Sequence, residues 1–210
     1  MKQEITRRAH DDADDAPGKR LILAAALRLF TSRGIEGTSV RDIAEATGLT
    51  NPALFRHFAG KEALAVHLFE RIFSHLRASL PEIDESPFST QLRATLAAYL
   101  RYFDEDLEAA LFFQENLRRF WPQLPPALRR QSLLAHLRAL LAAGSTQAVI
   151  DADENPQLLL VVISGLLGQF ARQLYFKEIP GSAISHLDAI HRLALRSVAA
   201  PHPTKRRNSR

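Results

Sequence analysis

"GTSVRDIAEATGLTNPALFRHFAGKEAL" occupies residues 37–64, and its punctuation decides how the chain begins to fold. Thr38 is a suitable N-cap for a helix in which Val40, Ile43, Ala44 and Thr47 share one face. Gly48 stops that helix, because glycine enters the left-handed region without steric penalty, and Leu49 is the apolar residue that folds back on it. Thr50 or Asn51 caps a third helix, with Pro52 in its first turn, where a missing N–H costs nothing and a fixed φ helps. This helix runs only to about Phe58 before Ala59 and Gly60 break it. Leu54 and Phe58, four apart, form its apolar edge, and Asn51, Ala53, Arg56 and His57 lie on the opposite side. A capped helix, a glycine turn and a short rod with a polar outer face make a helix-turn-helix pattern.

Upstream, Pro17 and Gly18 precede a helix over about 19–33 that Gly34 ends; downstream, "KEALAVHLFERIFSHLRASL" is a fourth helix. After a Pro-rich acidic connection at 80–90, apolar residues again recur at helical spacing, placing helices near 89–105, 107–121, 126–149, 155–178 and 183–199. Strand signals are nearly absent. The chain therefore reads as all-α with about nine helices: a disordered tail (1–16), a three-helix helix-turn-helix domain (17–62), a connecting fourth helix (61–79), a C-terminal helical domain (80–200) and a basic disordered tail (201–210).

Composition removes whole classes of function. At 46% hydrophobic and 24% charged residues over 210 positions, the chain matches a soluble globular protein. Without cysteine it has no disulfide framework, thiolate chemistry or Cys-ligated metal, in keeping with a reducing cytoplasm. The start lacks the apolar segment of a signal peptide. The run Leu158–Ala171 is shorter than the roughly 20 residues that span a bilayer, so it reads as a buried helix, and no membrane partner is expected. His67 and Glu70 share a helix face without a second ligand pair, and His186 and His191 fall on different faces. "AGKEA" lacks the upstream glycine of a phosphate loop, and no G-x-S-x-G elbow occurs. No catalytic residue, metal or cofactor is expected.

The net charge of +4 matters less than where cations sit. Arg41, in the first turn of the second helix, can reach a guanine edge; Asn51 can pair with adenine and Ala53 can touch a thymine methyl. Arg56 suits a base or a phosphate. Thr38, Thr50 and His57 carry donors suited to phosphate, though each is equally a plain cap or surface group. Lys61 opposes the dipole of the helix it opens, and a phosphate arriving at that helix start reverses the sign; otherwise it is a solvated lysine offset by Glu62.

Farther along, seven of the sixteen aromatics cluster between Tyr99 and Trp121, the usual mark of a core. The helix "LLLVVISGLLGQFARQLYF" is apolar nearly all round, so a second buried face implies a partner. Ser164, Gly165 and Gly168 allow close approach, and the amphipathic helix "SHLDAIHRLALRSVA", with Leu187 and Leu195, lies next in sequence.

Gly37–Leu64 resembles the helix-turn-helix signature of TetR-family transcriptional regulators in its helix-two alanine, its turn glycine, the His-Phe ending of the recognition helix and the lysine that opens the next. Phe55 departs from it: the family usually has a tyrosine whose hydroxyl touches the DNA backbone, so here the ring packs or grazes a sugar. The resemblance implies a cytoplasmic repressor bound as a homodimer to a near-palindromic double-stranded DNA operator. The last two helices of each subunit would form a four-helix bundle, with Ser164, Gly165, Gly168, Leu187 and Leu195 at the interface. It further implies a small apolar or aromatic effector in the C-terminal domain, with Phe103, Phe113, Phe120 and Trp121 as lining candidates.

Overall fold

Pro17 itself opens the first helix, α1 (Pro17–Arg33), because proline's missing N–H is harmless at a first helical position. The computed structural model describes residues 15–151 and 153–199, and among these every regular element is helical. Apart from residues 15 and 16, the tails expected at 1–16 and 201–210 lie outside the described residues. Three helices follow: α2 (Val40–Thr47), α3 (Asn51–Phe55) and α4 (Lys61–Ser79). They close on α1 around Ile22, Ile43, Leu54, Phe58 and Leu64, all buried.

The centre of the molecule is α5 (Phe88–Phe120), against which α1, α4, α7, α8 and α9 pack. It is two helices in line. Asp106 leaves the helical region (φ −155°, ψ 78°), and its Oδ1 accepts the Ala109 N–H at 3.0 Å, capping the second half at the break read from sequence. The expected helix over 126–149 is instead α6 (Pro126–Arg129), a turn, and α7 (Leu133–Thr146). Apolar periodicity passes over this break. Ser132 makes it, accepting the Ala135 N–H at 3.2 Å as a new N-cap.

Next comes α8 (Pro156–Tyr175), capped by Asn155, whose Oδ1 accepts the Gln157 N–H at 2.9 Å. The expected 183–199 helix begins as a 3₁₀ turn, Ala183–His186, and becomes α9 (Leu187–Val198). The Asp104 carboxylate accepts the turn's first amides, Ala183 N–H at 2.5 Å and Ile184 N–H at 3.0 Å, and so ties it to α5.

Gly144 of α7 is fixed by close approach. A Cβ there would stand 2.7 Å from Ile150 Cδ1 and 2.8 Å from Phe88 Cδ2. Gly144→Val should therefore destabilise by about 1–3 kcal/mol, since overpacking against the buried Phe88 ring exceeds the few tenths gained in helix propensity. Urea unfolding should show a lower midpoint at unchanged slope; an unchanged midpoint would mean that Phe88 yields.

Candidate nucleic-acid interface and effector cavity

The adjacent hydroxyls at the start of α2 divide their work differently from expectation. Ser39 is the N-cap: its Oγ accepts the Asp42 N–H at 3.1 Å, and Asp42 Oδ2 accepts the Ser39 N–H at 2.7 Å, a capping box. Thr38 is 1% exposed and its hydroxyl faces inward, within 2.9 Å of Gly34 O and 3.3 Å of Leu29 O. It is a core tie, neither a cap nor a DNA contact. The S-x-x-D spacing one residue later carried the signal that a lone threonine did not.

Gly48 takes the left-handed conformation (φ 68°, ψ 13°), and the Leu49 N–H reaches back to Ala44 O at 3.1 Å. Thr50 caps α3, its Oγ1 accepting the Ala53 N–H at 3.4 Å. The helix ends at Phe55, and the following turn delivers Phe58 to the core beside Leu54. That anchored edge leaves Asn51, Phe55, Arg56 and His57 exposed and Ala53 half-buried, with Arg41 exposed on α2. Arg41, Asn51 and Arg56 make no side-chain hydrogen bond or ion pair among the described residues. His57 leans toward the start of α1, its Nε2 3.7 Å from the Cβ position of Gly18.

Lys61 opens α4 with its Nζ 3.8 Å from Glu36, in the loop before α2, rather than offset by Glu62. Both carboxylates belong to Arg119, near the end of α5: Nη1 donates to Glu36 at 2.6 Å, and Nη2 and Nε donate to Glu62 at 2.5 and 3.1 Å. The Arg119 hydrogen bond and charge hold the Glu36 carboxyl below its usual pKa. These groups are exposed enough that the network contributes little to stability. Its consequence is positional, since it fastens the end of α5 to the start of α4. No local pattern could have singled out Arg119, 57 residues from Glu62 in sequence.

Between the second half of α5, the start of α7 and α8 lies a cavity of about 420 Å³. Phe113, Leu117, Trp121, Leu133, Val161 and Leu167 supply much of its apolar wall. Phe113 and Trp121 are where sequence placed them. Phe103 and Phe120 are core residues instead: Phe103 meets the Tyr99 ring edge-on at 4.7 Å, and Phe120 lies 5.3 Å from Phe69 of α4. Both rings fall on inward faces of α5, a direction that clustering alone does not give. Ser164, Gly165 and Gly168, expected between subunits, line this protomer's own cavity. Tyr99, Gln114 and Arg172, which sequence reading missed, also line it, and burial pushes the Tyr99 hydroxyl up to about 12. Among the described residues no three His, Cys, Asp or Glu side chains gather as a metal site.

Residues 22–68 match the family described as bacterial regulatory proteins, tetR family. The HTH-type transcriptional regulator RutR of Escherichia coli K12 is 30% identical over 153 residues, 69% of each chain. The chain belongs to the TetR family. The HTH-type transcriptional repressor KstR2 of Rhodococcus jostii is 34% identical over 101 residues, 48% of each, so the match spans about half the length of that relative. The crystal structure of the transcriptional regulator FadR from Bacillus subtilis, in complex with stearoyl-CoA, shares the TetR fold here with a TM-score of 0.63. It is 16% identical and covers 85% of this chain and 98% of its own. These relatives are transcriptional regulators, not enzymes.

In this TetR-family chain α8 has a second apolar face. Leu158 and Val161 are 62% and 63% exposed, Val162 is also exposed, and Leu193 of α9 is 53% exposed. By length and composition α8 is sufficient to cross a bilayer, and a third of its most apolar window is buried. The full-burial expectation thus holds for one face only. Leu187 is spent on the protomer's own core and Leu195 is half-buried against it, so Leu158, Val162 and Leu193 mark the uncovered surface better.

Proposed function

We propose that this protein is a cytoplasmic, ligand-responsive repressor that binds a near-palindromic double-stranded DNA operator as a homodimer and is released by a small apolar or aromatic effector. The observation that carries this reading is the unspent outer face of α3: Leu54 and Phe58 anchor the rod, while Asn51, Arg56 and the neighbouring Arg41 have no internal partner among the described residues. A groove of base edges and phosphates supplies the partners such groups lack. Arg41, Asn51 and Ala53 read bases, Arg56 a base or phosphate, and Thr50, His57 and Lys61 hold the backbone. Phe55, 51% exposed and without a hydroxyl, contributes contact with sugar only.

The α8 and α9 faces pair two protomers, and pairing sets two recognition rods about one DNA turn apart. The cavity is linked to α4 through a ring of α5. Phe113 lines it and stacks on Phe69 at 4.8 Å, and α4 carries Lys61 at its other end. An effector that displaces Phe113 shifts α4 and changes the rod spacing, provided it binds the two spacings unequally.

A gel shift with the DNA upstream of the protein's own gene tests the reading. Specific retention should fall by orders of magnitude between about 50 and 200 mM salt if several phosphates per dimer are neutralised. Absence of any retained fragment at low salt would leave a helical protein-interaction module, the alternative that the missing Phe55 hydroxyl favours.

A further inference from the structure

The cavity's polar inventory is lopsided. None of its lining residues is acidic, and Arg172 is the one charged side chain among them. Arg172 is exposed at the rim and has no ion-pair partner among the described residues. Both lining serines are engaged: the Ser164 hydroxyl donates to Leu160 O at 2.7 Å, and Ser132 Oγ accepts the Ala135 N–H. Gln114 is different. Its amide lies beside the Tyr99 hydroxyl, yet its buried Nε2 makes no well-formed hydrogen bond among the described residues. Leaving such a donor unmet costs more than the bond itself would contribute, so an incoming oxygen there is favoured.

Gln114 and Arg172 line the same cavity, and the Gln114 amide approaches the α8 face that carries Arg172. A Cβ on Gly168 would stand 3.4 Å from Gln114 Oε1, so the glycine lets the amide lie against α8. Arg172 is four residues on, one turn along the same face. From this geometry we infer that the cavity's occupant is an apolar carboxylic acid, held by a carboxylate that accepts hydrogen bonds from Arg172 and the Gln114 amide while its hydrocarbon body lies on Phe113, Leu117 and Trp121. One guanidinium with no neighbouring acid matches a singly charged oxyanion, and its planar fork matches the two carboxylate oxygens. At about 420 Å³ the space falls within the range of small-molecule sites. The Tyr99 hydroxyl, kept protonated by burial, adds a donor to the lining. The inference rests on the cavity being the effector site.

Trp121 is the single tryptophan of the chain and lines the cavity, so its fluorescence reports occupancy. The probes are decanoate, 4-cyclohexylbutanoate and 4-phenylbutanoate, each with its methyl ester, titrated into the full-length protein. At least one acid should shift Trp121 emission with an affinity about tenfold tighter than its ester, the contribution of a charge-assisted pair. Arg172→Gln should abolish most of that preference while leaving the ester's affinity unchanged, which shows that the cavity still folds. Esters binding as tightly as acids, Arg172→Gln leaving the preference intact, or no binding by any acid would each overturn the inference. Gel shifts in the same solutions separate the two readings. Acids that bind preferentially but leave DNA bound support this ligand class and remove the release mechanism. Release by esters alone overturns the carboxylate and leaves the regulator standing.

Discussion

Val162→Arg, combined with Leu158→Arg, should yield a folded monomer of 23.5 kDa, whereas the unaltered chain should sediment at twice that mass if the proposed dimer forms. Both side chains are exposed on the protomer, so neither change disturbs its core. In a two-fold dimer each appears twice in a self-complementary patch. The apolar burial lost is about 1.5–3 kcal/mol per side chain, and the guanidinium groups add the penalty of charges set against apolar surface. Together these raise the dissociation constant by many decades. The helical circular dichroism should persist, whereas operator binding should fall to the level of one rod on one half-site. Sedimentation equilibrium that still shows a dimer at micromolar concentration would place the interface elsewhere and leave the apolar stripe of α8 without an account.

Arg41→Ala should cost about 1–3 kcal/mol per half-site, and therefore about 2–6 kcal/mol per dimer, with relaxed preference at one symmetric base position. Arg41 has no internal partner among the described residues, so its loss should leave thermal stability nearly unchanged. Lys61→Ala should act otherwise: affinity falls for all sequences alike, and the salt slope shrinks by about one phosphate contact per subunit. Binding isotherms on the operator and on single-base variants, across a salt series, separate the two. Equal, sequence-blind losses from both substitutions would show that Arg41 holds phosphate and that the bases are read by α3 alone.

The fold was largely legible from local signals. Gly48, Pro52 and the Leu54/Phe58 spacing act within a few residues of themselves, and the structure places each as read. Even the interruption at Asp106 fell between two periodic stretches. Local reading failed where two local signals competed. Thr38 has the residue type of a cap, but Ser39 beside it takes that role, and the Thr38 hydroxyl turns inward toward Leu29 and Gly34. Continuous apolar spacing likewise concealed the Ser132 cap that divides α6 from α7.

The cavity was legible only in part. Its aromatic richness was visible, but which rings face inward depends on the packing of α4, α7 and α8 around α5, and that turned Phe103 and Phe120 into core. Gln114, Arg172 and Arg119 carry no spacing signature: the first two reach one cavity from α5 and α8, and Arg119 meets Glu36 of a loop and Glu62 of α4.

By itself, the sequence determined an all-helical chain opening with a capped helix, a glycine turn and a short rod with a polar face, because caps, turns and amphipathic spacing act between near neighbours. Tertiary structure alone decided which donors face the cavity, which carboxylates hold the start of α4, and which face of α8 stays uncovered. Those outcomes depend on how helices distant in sequence are rotated against one another, and that rotation is set by the packing of the whole core.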